Sequence, residues 1–358
     1  MFFELLQVAL GYRDRLSRIL SDKEWSDLYD ESERQAVTGI LLQGIDKLPL
    51  DQKPSKLFLL QWIGVGQMIE QQNHILDERC VELLGKLDDN GLHGTILKGQ
   101  GVAILYDKEL RPMRQSGDID VYVDCGFEKA LSTVQGIEGL TVEGWDYQHA
   151  HLVIWDDAVV ELHYRVEVIM NLFKNRRLQK WIEKHSDQLF EKREGLVTPT
   201  IDFNVLYILM HLYRHFLYEG VGLKQVMDYY MVLRAVHVGR SDVKEYVNAV
   251  SEFGMTKFSK GLMWVMKKVF AMPDEWMLWE PDEKEGSFIL EQMMAGGNFG
   301  HYDKRLSKGN GKIVTLNNVV RHNWHLFSHY PSEFIWPPVW LIWHKCWKLK
   351  TKALMAIR

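Results

Sequence analysis

The chain has 358 residues, 46% of them hydrophobic and 25% charged, which is typical of a globular protein with room for two or three domains. A net charge of −5 gives no general attraction for nucleic acid, so such a role would need a local basic patch. The three cysteines, Cys80, Cys125 and Cys346, are widely spaced, which argues against a disulfide framework or a structural zinc site.

The N-terminus has neither the basic start nor the apolar core of a secretion signal. No uninterrupted apolar run approaches the roughly 20 residues of a membrane-spanning helix. We therefore expect a cytoplasmic protein without a transmembrane segment.

Residues 1–90 are predicted to form an N-terminal helical region. Leu76, Cys80, Leu83 and Leu87 recur at the spacing of one helix face, and Asn90-Gly91 is a helix stop signal.

Residues 91–200 are predicted to form a compact mixed α/β core. Residues 94–97 and 119–123 are two predicted strands, and residues 152–163 predict a hairpin that turns at Asp156-Asp157. Helices are expected over residues 101–106 and 128–134.

Helical patterns return over residues 201–358. Helices are expected from residue 203 onward and over 223–235, 241–271 and 284–295. The sequence therefore predicts an α+β fold, with a small mixed sheet flanked by N-terminal and C-terminal helical regions.

Asp118 and Asp120 are the strongest candidates for chemistry. Two acids two residues apart, followed by apolar alternation, predict a strand with both carboxylates on one face, roughly 6–7 Å apart. That spacing suits a divalent cation, although a solvated strand edge is the commoner origin of such a pair.

Three further features strengthen the interpretation of a metal site. Lys98-Gly99-Gln100-Gly101 lies at a strand-to-helix junction, where backbone N–H groups can approach phosphate. Glu161 is an acid inside an otherwise apolar strand, a costly position unless it is paired. Arg111 and Arg114, just before the aspartates, could meet phosphate oxygens, although a solvated loop is the commoner location of such arginines.

These motifs resemble the nucleotidyltransferase superfamily with the polymerase-β-like fold, and most closely its uncharacterised bacterial nucleotidyltransferase-like family. The resemblance covers about residues 90–235, and similar elements also occur in nucleotidyltransferase toxins of abortive-infection systems. The matching strings are Leu97-Lys98-Gly99, Arg111-Pro112-Met113, Gly117-Asp118-Ile119-Asp120, Glu161-Leu162-His163, the helix with His211 and His215, and Leu223 to Asp228. The sequence departs from the family pattern at Gln100, where a second small residue is usual.

The resemblance implies a nucleotidyltransferase-type core and a two-metal reaction. Asp118 and Asp120 would hold Mg²⁺, or Mn²⁺, against the phosphates of a nucleoside triphosphate, and Glu161 would complete the site. A nucleoside monophosphate, AMP if the donor is ATP, would pass to a hydroxyl acceptor with release of pyrophosphate. The residues expected to contact the nucleotide are Lys98, Gly99, Gln100, Arg111, Arg114, His163, Lys224 and Asp228.

Several alternatives stay open at this point. The acceptor could be a small aminoglycoside-like sugar, a protein or RNA, the last two as in toxin-like enzymes. A catalytically degenerate nucleotidyltransferase fold could instead bind a nucleotide or a partner. A metal-dependent glycosyltransferase also uses two spaced aspartates, but the helical region before residue 90 argues against one.

Other motifs carry less weight as candidates for chemistry. His211 and His215 have a spacing that can bind zinc, but no third ligand is evident, and lining a substrate cleft is the better hypothesis. Lys224 and Asp228 could form a surface ion pair. Ser307 to Lys312 is too short for a phosphate-binding loop and predicts a solvated turn.

The stretch 334–358 combines tryptophans at helical spacing with lysines and contains no acid. A helix packed on the body of the protein is the simplest interpretation. Contact with a membrane surface or an anionic partner is the alternative.

Overall fold

The computed structural model of the chain describes residues 1–303 and 325–357. The turn predicted at Ser307 to Lys312 lies outside these residues. The described residues divide into two units, each drawn from three chain segments. The first unit comprises Met1–Glu78, Lys98–Gly117 and residues 201–303, and the second comprises Arg79–Leu97, Asp118–Thr200 and residues 325–357.

The described part of the first unit is helical. Its helices are α1 (Phe2–Ala9), α2 (Asp22–Arg34), α3 (Thr38–Lys47), α5 (Gln100–Ala103), α8 (Ile201–Tyr218), α9 (Leu223–Gly239), α10 (Lys244–Glu252), α11 (Thr256–Phe270) and α12 (Glu283–Gly296). The boundary between the units falls within α4 (Lys56–Asp89). Gly91, with φ of 72°, follows α4 at the predicted stop.

Apolar faces hold these helices together. α1 packs on α3, α8 on α9, and α11 on α12. Trp62 of α4 is fully buried against Tyr29 of α2, with ring centroids 5.1 Å apart. The single helical stretch expected over 241–271 is two helices, because Gly254 adopts φ of 78° and breaks the chain between α10 and α11.

The second unit is built on a mixed sheet, as the sequence predicts. The sheet has five strands, of which the sequence predicted four and missed Thr141–Trp145. The strands are β1 (Gly94–Ile96), β2 (Asp118–Val123), β3 (Thr141–Trp145), β4 (His149–Val153) and β5 (Val159–His163). They lie in the order β1-β2-β5-β4-β3. β2 and β5 are parallel, and the other neighbouring pairs are antiparallel.

The predicted hairpin is confirmed as β4 and β5. Its turn is fixed by Arg79 of α4, which donates two hydrogen bonds to Asp157, at 3.2 and 2.9 Å. The expected helix at 128–134 is α6 (Gly126–Val134), and the one at 101–106 is the shorter α5. The unit is completed by α7 (Leu172–Lys184), the hairpin of β6 (Glu191–Arg193) and β7 (Leu196–Thr198), and α13 (Trp336–Ile357).

Strand alternation gives the sheet one apolar and one polar face. Ile119, Val121, Val160 and Leu162 are at most 1% exposed and form part of the core. The residues between them on β2 and β5 point to the opposite face, where the acids lie. Among the described helices, none is both long and apolar enough to cross a membrane.

Candidate metal centre

The parallel pairing of β2 and β5 brings two of the predicted acids side by side. Asp120 of β2 is the register partner of Glu161 of β5, and Asp118 pairs with Val159 one step earlier. Because partners on neighbouring strands point to the same face, Asp118, Asp120 and Glu161 share the polar face of the sheet.

His163 lies two residues after Glu161 on β5 and points to the same polar face of the sheet. Its Nε2 atom lies 2.8 Å from Asp120 Oδ1 and 3.4 Å from Glu161 Oε2. The sequence predicted that His163 and Glu161 share a strand face, and these distances confirm it. The side chains of Asp120 and His163 are each only 2% exposed.

A buried cluster of this composition can hold a metal ion. Asp120, Glu161 and His163 each offer a ligand atom, and these atoms lie within 4.8 Å of one another. A carboxylate removed from water needs a compensating positive charge, which an imidazolium or a divalent cation can supply. Asp118 is exposed at the start of β2 and does not belong to this group among the described residues.

The environment keeps Glu161 anionic. Burial raises the pKa of its carboxyl group, but the hydrogen bond with His163 and the nearby His149 lower it, so the pKa lies below its usual value. The neighbouring Asp120 acts in the opposite direction. An ionised carboxylate is the form that binds a divalent cation.

Two further histidines, which the sequence interpretation missed, stand on the adjacent strand. His149 and His151 of β4 are the register partners of His163 and Glu161. Together with Glu161 they form a second group with ligand atoms within 4.8 Å of one another. The predicted strand began at residue 152 and excluded both histidines, whereas β4 begins at His149. The available signal was their two-residue spacing directly before that strand.

The glycine turn lies in the first unit. Gly99 precedes α5 with φ of 54° and ψ of −115°, a conformation that favours glycine. Gln100, where the family pattern has a small residue, is buried: its side chain donates to Asp77 Oδ1 at 2.6 Å and accepts from Ser116 Oγ at 2.7 Å. Gln100 therefore cross-links this turn to α4 within the first unit.

Arg114 and Asp228 form a buried pair in the first unit. Arg114 Nε and Nη2 each donate to Asp228 at 2.7 Å, and the hydroxyl of Tyr106 donates to the same carboxylate at 2.7 Å. The attraction of Asp228 outweighs burial and raises the pKa of the Arg114 guanidinium. Asp228 is thus buried, and does not form the surface ion pair with Lys224 that the sequence allowed. Arg111, the other predicted arginine, lies 3.6 Å from Asp77.

The remaining predicted residues of the first unit lie along α8 and α9. The rings of His211 and His215 are 4.2 Å apart, and Nδ1 of His215 lies 2.7 Å from Glu219. Lys98 is close enough to lower the pKa of both His215 and Glu219, as a minor contribution. Lys224 Nζ lies 5.8 Å from the centre of the Phe299 ring. Among the described residues, neither histidine belongs to a group suited to a metal ion.

A family model described as "Uncharacterised nucleotidyltransferase" matches residues 21–271, which include the strands that carry Asp118, Asp120 and Glu161. No curated protein and no solved structure matches the chain.

Proposed function

Because this chain belongs to the uncharacterised nucleotidyltransferase family, we propose that it transfers a nucleoside monophosphate from a nucleoside triphosphate to a hydroxyl acceptor. The acceptor oxygen bonds to the α-phosphorus and its proton passes to solvent, while the bond from the α-phosphorus to the α–β bridging oxygen breaks and pyrophosphate leaves. ATP is the proposed donor, which makes the transferred group AMP. The observation that carries the proposal is the buried Asp120 beside Glu161 on neighbouring parallel strands.

The side chains of the second unit fit a divalent ion. In our proposal Asp118, Asp120 and Glu161 hold Mg²⁺ or Mn²⁺, since hard oxygen ligands suit both ions. When bound, the metal would neutralise phosphate charge and lower the pKa of the acceptor hydroxyl. His163 contacts both Asp120 and Glu161, so its role is to orient their oxygens.

Nucleotide contacts are proposed from the family motifs. Within the first unit, Arg111 is partly exposed and Gly99 has a backbone open to close approach. Arg114 and Asp228 hold each other, so we propose that they support the segment before Asp118. The residues proposed to contact the nucleotide are therefore Lys98, Gly99, Gln100, Arg111, His163 and Lys224, and Arg114 and Asp228 take the supporting role.

A labelling experiment tests the proposed reaction. The full chain is incubated with each α-labelled nucleoside triphosphate, Mg²⁺ and cell lysate, and the labelled product is identified. We expect labelling from ATP that needs Mg²⁺ and disappears in Asp120→Asn. Asp156→Asn is the matched control, because Asp156 is an exposed acid in the β4–β5 turn.

Equal labelling by wild type and Asp120→Asn would contradict the proposed site. Nucleotide binding without any labelled product would instead favour the degenerate, binding-only alternative. The chemical nature of a labelled product separates a small-molecule acceptor from the toxin-like alternatives, in which RNA or protein is modified.

A further inference from the structure

The histidines on β4 face Glu161 in a way that the proposed reaction does not use. His149 Nε2 and His151 Nδ1 each lie 3.7 Å from the same atom, Glu161 Oε1. The two imidazole rings are 4.9 Å apart. His163 approaches the other carboxylate oxygen, Oε2, at 3.4 Å. Glu161 therefore presents one oxygen to each of two ligand groups.

The composition of this second group selects a different kind of ion. Two imidazoles and one carboxylate suit zinc-like transition metals, whereas Mg²⁺ prefers oxygen ligands alone. Asp146 Oδ1, fixed by the backbone N–H groups of Gln148 and His149, lies 4.0 Å from His149 Nδ1. This distance is too long for a hydrogen bond, so Asp146 contributes a negative charge near His149 rather than a fixed contact.

We propose that His149, His151 and Glu161 bind a divalent transition-metal ion such as Zn²⁺. Because the two oxygens of Glu161 belong to different groups, a cation on Oε1 repels Mg²⁺ at the neighbouring Oε2 atom, weakens Mg²⁺ binding and so inhibits transfer. The inhibition rests on the proposed function, whereas the binding itself does not.

Titration calorimetry of the full chain with ZnCl₂, in excess Mg²⁺ and without nucleotide, tests the binding. We expect His151→Gln to weaken Zn²⁺ binding by at least about tenfold, since a direct ligand is lost. His151 has a half-exposed side chain, so the substitution should leave the fold intact. His93→Gln is the matched control, because His93 is an exposed imidazole 2.8 Å from Asp88.

Equal Zn²⁺ affinity in wild type and His151→Gln would overturn the second site, as would an equal loss in His93→Gln. Asp118→Asn separates the two proposals: it should abolish transfer and leave Zn²⁺ binding unchanged. If wild type shows no transfer at all, the Zn²⁺ titration still tests whether His149, His151 and Glu161 bind the ion.

An independent inference concerns α13. Its inner face packs within the second unit, where Trp340, Trp343 and Trp347 surround Tyr147 with ring centroids 4.8–5.5 Å away. Trp347 also contacts Phe127, at 5.6 Å. The tryptophans are thus used for packing, and the opposite face of the helix points outward.

An apolar stripe, which we call the outer stripe, runs along α13 about 110° around the helix axis from the tryptophans. At 100° per residue its members fall within about 80° of arc. Ile342 and Leu349 are 67% and 69% exposed, so the stripe presents large aliphatic side chains to solvent. The outer stripe consists of the exposed Val339, Ile342, Cys346, Leu349 and Ala353.

Lysines border the outer stripe on both sides. Lys345 and Lys352 project from one flank and Lys350 from the other, and all three are exposed. No acidic residue occurs between Phe334 and Arg358. A second copy of this helix would set lysines against lysines, whereas an anionic lipid surface matches both the apolar stripe and its basic borders.

We infer that the outer stripe of α13 docks on an anionic membrane surface, with the helix lying parallel to the membrane. The test is co-sedimentation of the full chain with vesicles of phosphatidylcholine, with or without phosphatidylserine. We expect binding only to the vesicles that contain phosphatidylserine, and added salt should weaken it. Changing Lys345, Lys350 or Lys352 to Gln should each lower the vesicle affinity by roughly fivefold.

The double variant Ile342→Asp with Leu349→Asp should abolish vesicle binding. Leu57→Asp with Leu60→Asp is the matched control, because both leucines are exposed and three residues apart on α4. Unchanged vesicle binding by the α13 variant would overturn the inference. Dimerisation of wild type that the α13 variant abolishes, without any vesicle binding, would assign the stripe to a second copy of the chain.

Discussion

At the scale of single residues, the contact between His163 and Asp120 organises the candidate site. The two residues are 43 positions apart in sequence, and their side chains are 2.8 Å apart and almost fully buried. The sequence predicted the acids and the shared face of Glu161 and His163. The partner of the His163 ring could not be predicted, because it depends on which strand lies beside β5.

Replacing His163 tests its positioning role. We expect His163→Gln to lower the apparent affinity for Mg²⁺ in the transfer reaction by about 10–100-fold, because the carboxylates lose the group that orients them. Mg²⁺ titrations of the initial rate measure this effect, and urea unfolding checks the fold. The exposed His74 provides a control, His74→Gln. An unchanged Mg²⁺ dependence in His163→Gln would remove this role.

The Arg114–Asp228 pair makes a prediction about stability. Arg114→Met leaves the buried carboxylate of Asp228 without its cation and should lower the free energy of unfolding by about 3–5 kcal/mol. The double variant Arg114→Met with Asp228→Leu should lose less than the sum of the single variants. Urea unfolding of all four proteins measures the coupling.

Arg79 and Asp157 provide the matched comparison for this pair. They make the same two-point contact at the surface, where solvent screens the charges. The equivalent cycle, Arg79→Met with Asp157→Leu, should therefore show a much smaller coupling. Equal couplings would mean that burial does not strengthen the Arg114–Asp228 contact.

At the scale of secondary-structure elements, the pairing of β2 with β5 creates the site. The sequence predicted both strands and the β4–β5 hairpin, because a short turn between alternating segments is a local signal. It did not determine that β2 and β5 run parallel in register, with Asp120 opposite Glu161. Parallel pairing joins strands through a long crossover, so nothing local fixes the register.

The contact between α11 and α12 makes a prediction at this scale. A Cβ atom at Gly286 would lie 2.7 Å from Trp264 and 2.8 Å from the carbonyl oxygen of Gly261, so the helices must move apart to accept it. We expect Gly286→Ala to lower the free energy of unfolding by about 1–3 kcal/mol.

Gly64→Ala is the matched control for this helix contact. Gly64 is a helical glycine with open space where a Cβ would lie. That variant should raise the free energy of unfolding by about 0.5–1 kcal/mol, because alanine favours the helix. Thermal or urea unfolding compares the two variants, and a stabilised Gly286→Ala would show that the contact can relax.

At the scale of the whole molecule, neither of the two units is formed by one continuous stretch of the chain. Each unit draws on three segments of the chain. The division at residues 90 and 200, into a helical region, a core and a second helical region, stays a prediction. Segments that are distant in sequence meet through apolar packing, which composition alone does not specify.

Acidification should destabilise the folded molecule. Burial lowers the pKa of His215. The pKa of Glu219 is also lowered: burial raises it, but the hydrogen bond with His215 and the nearby charges of His215, Arg214 and Lys98 together outweigh burial. Both folded-state pKa values lie below the usual 6.5 and 4.5, so the unfolded chain binds more protons. The free energy of unfolding should fall as the pH drops below 6.5 through His215, and below 4.5 through Glu219 as well.

Urea unfolding of wild type and His215→Gln over this pH range measures the contribution of His215. The variant should lose less stability between neutral pH and the folded-state pKa of His215. The exposed His237 supplies the control, His237→Gln. Identical pH profiles for His215→Gln and wild type would contradict the prediction.

The sequence by itself determined the α+β class, the hairpin, the acids of the candidate site and the family, because these depend on residue types and short-range spacing. Only the tertiary structure decided that Asp120 and Glu161 are neighbours, that His149 and His151 face Glu161, and that Arg114 is engaged by Asp228. These contacts join residues between 10 and 114 positions apart. They depend on how strands pair and helices pack, which no local pattern encodes.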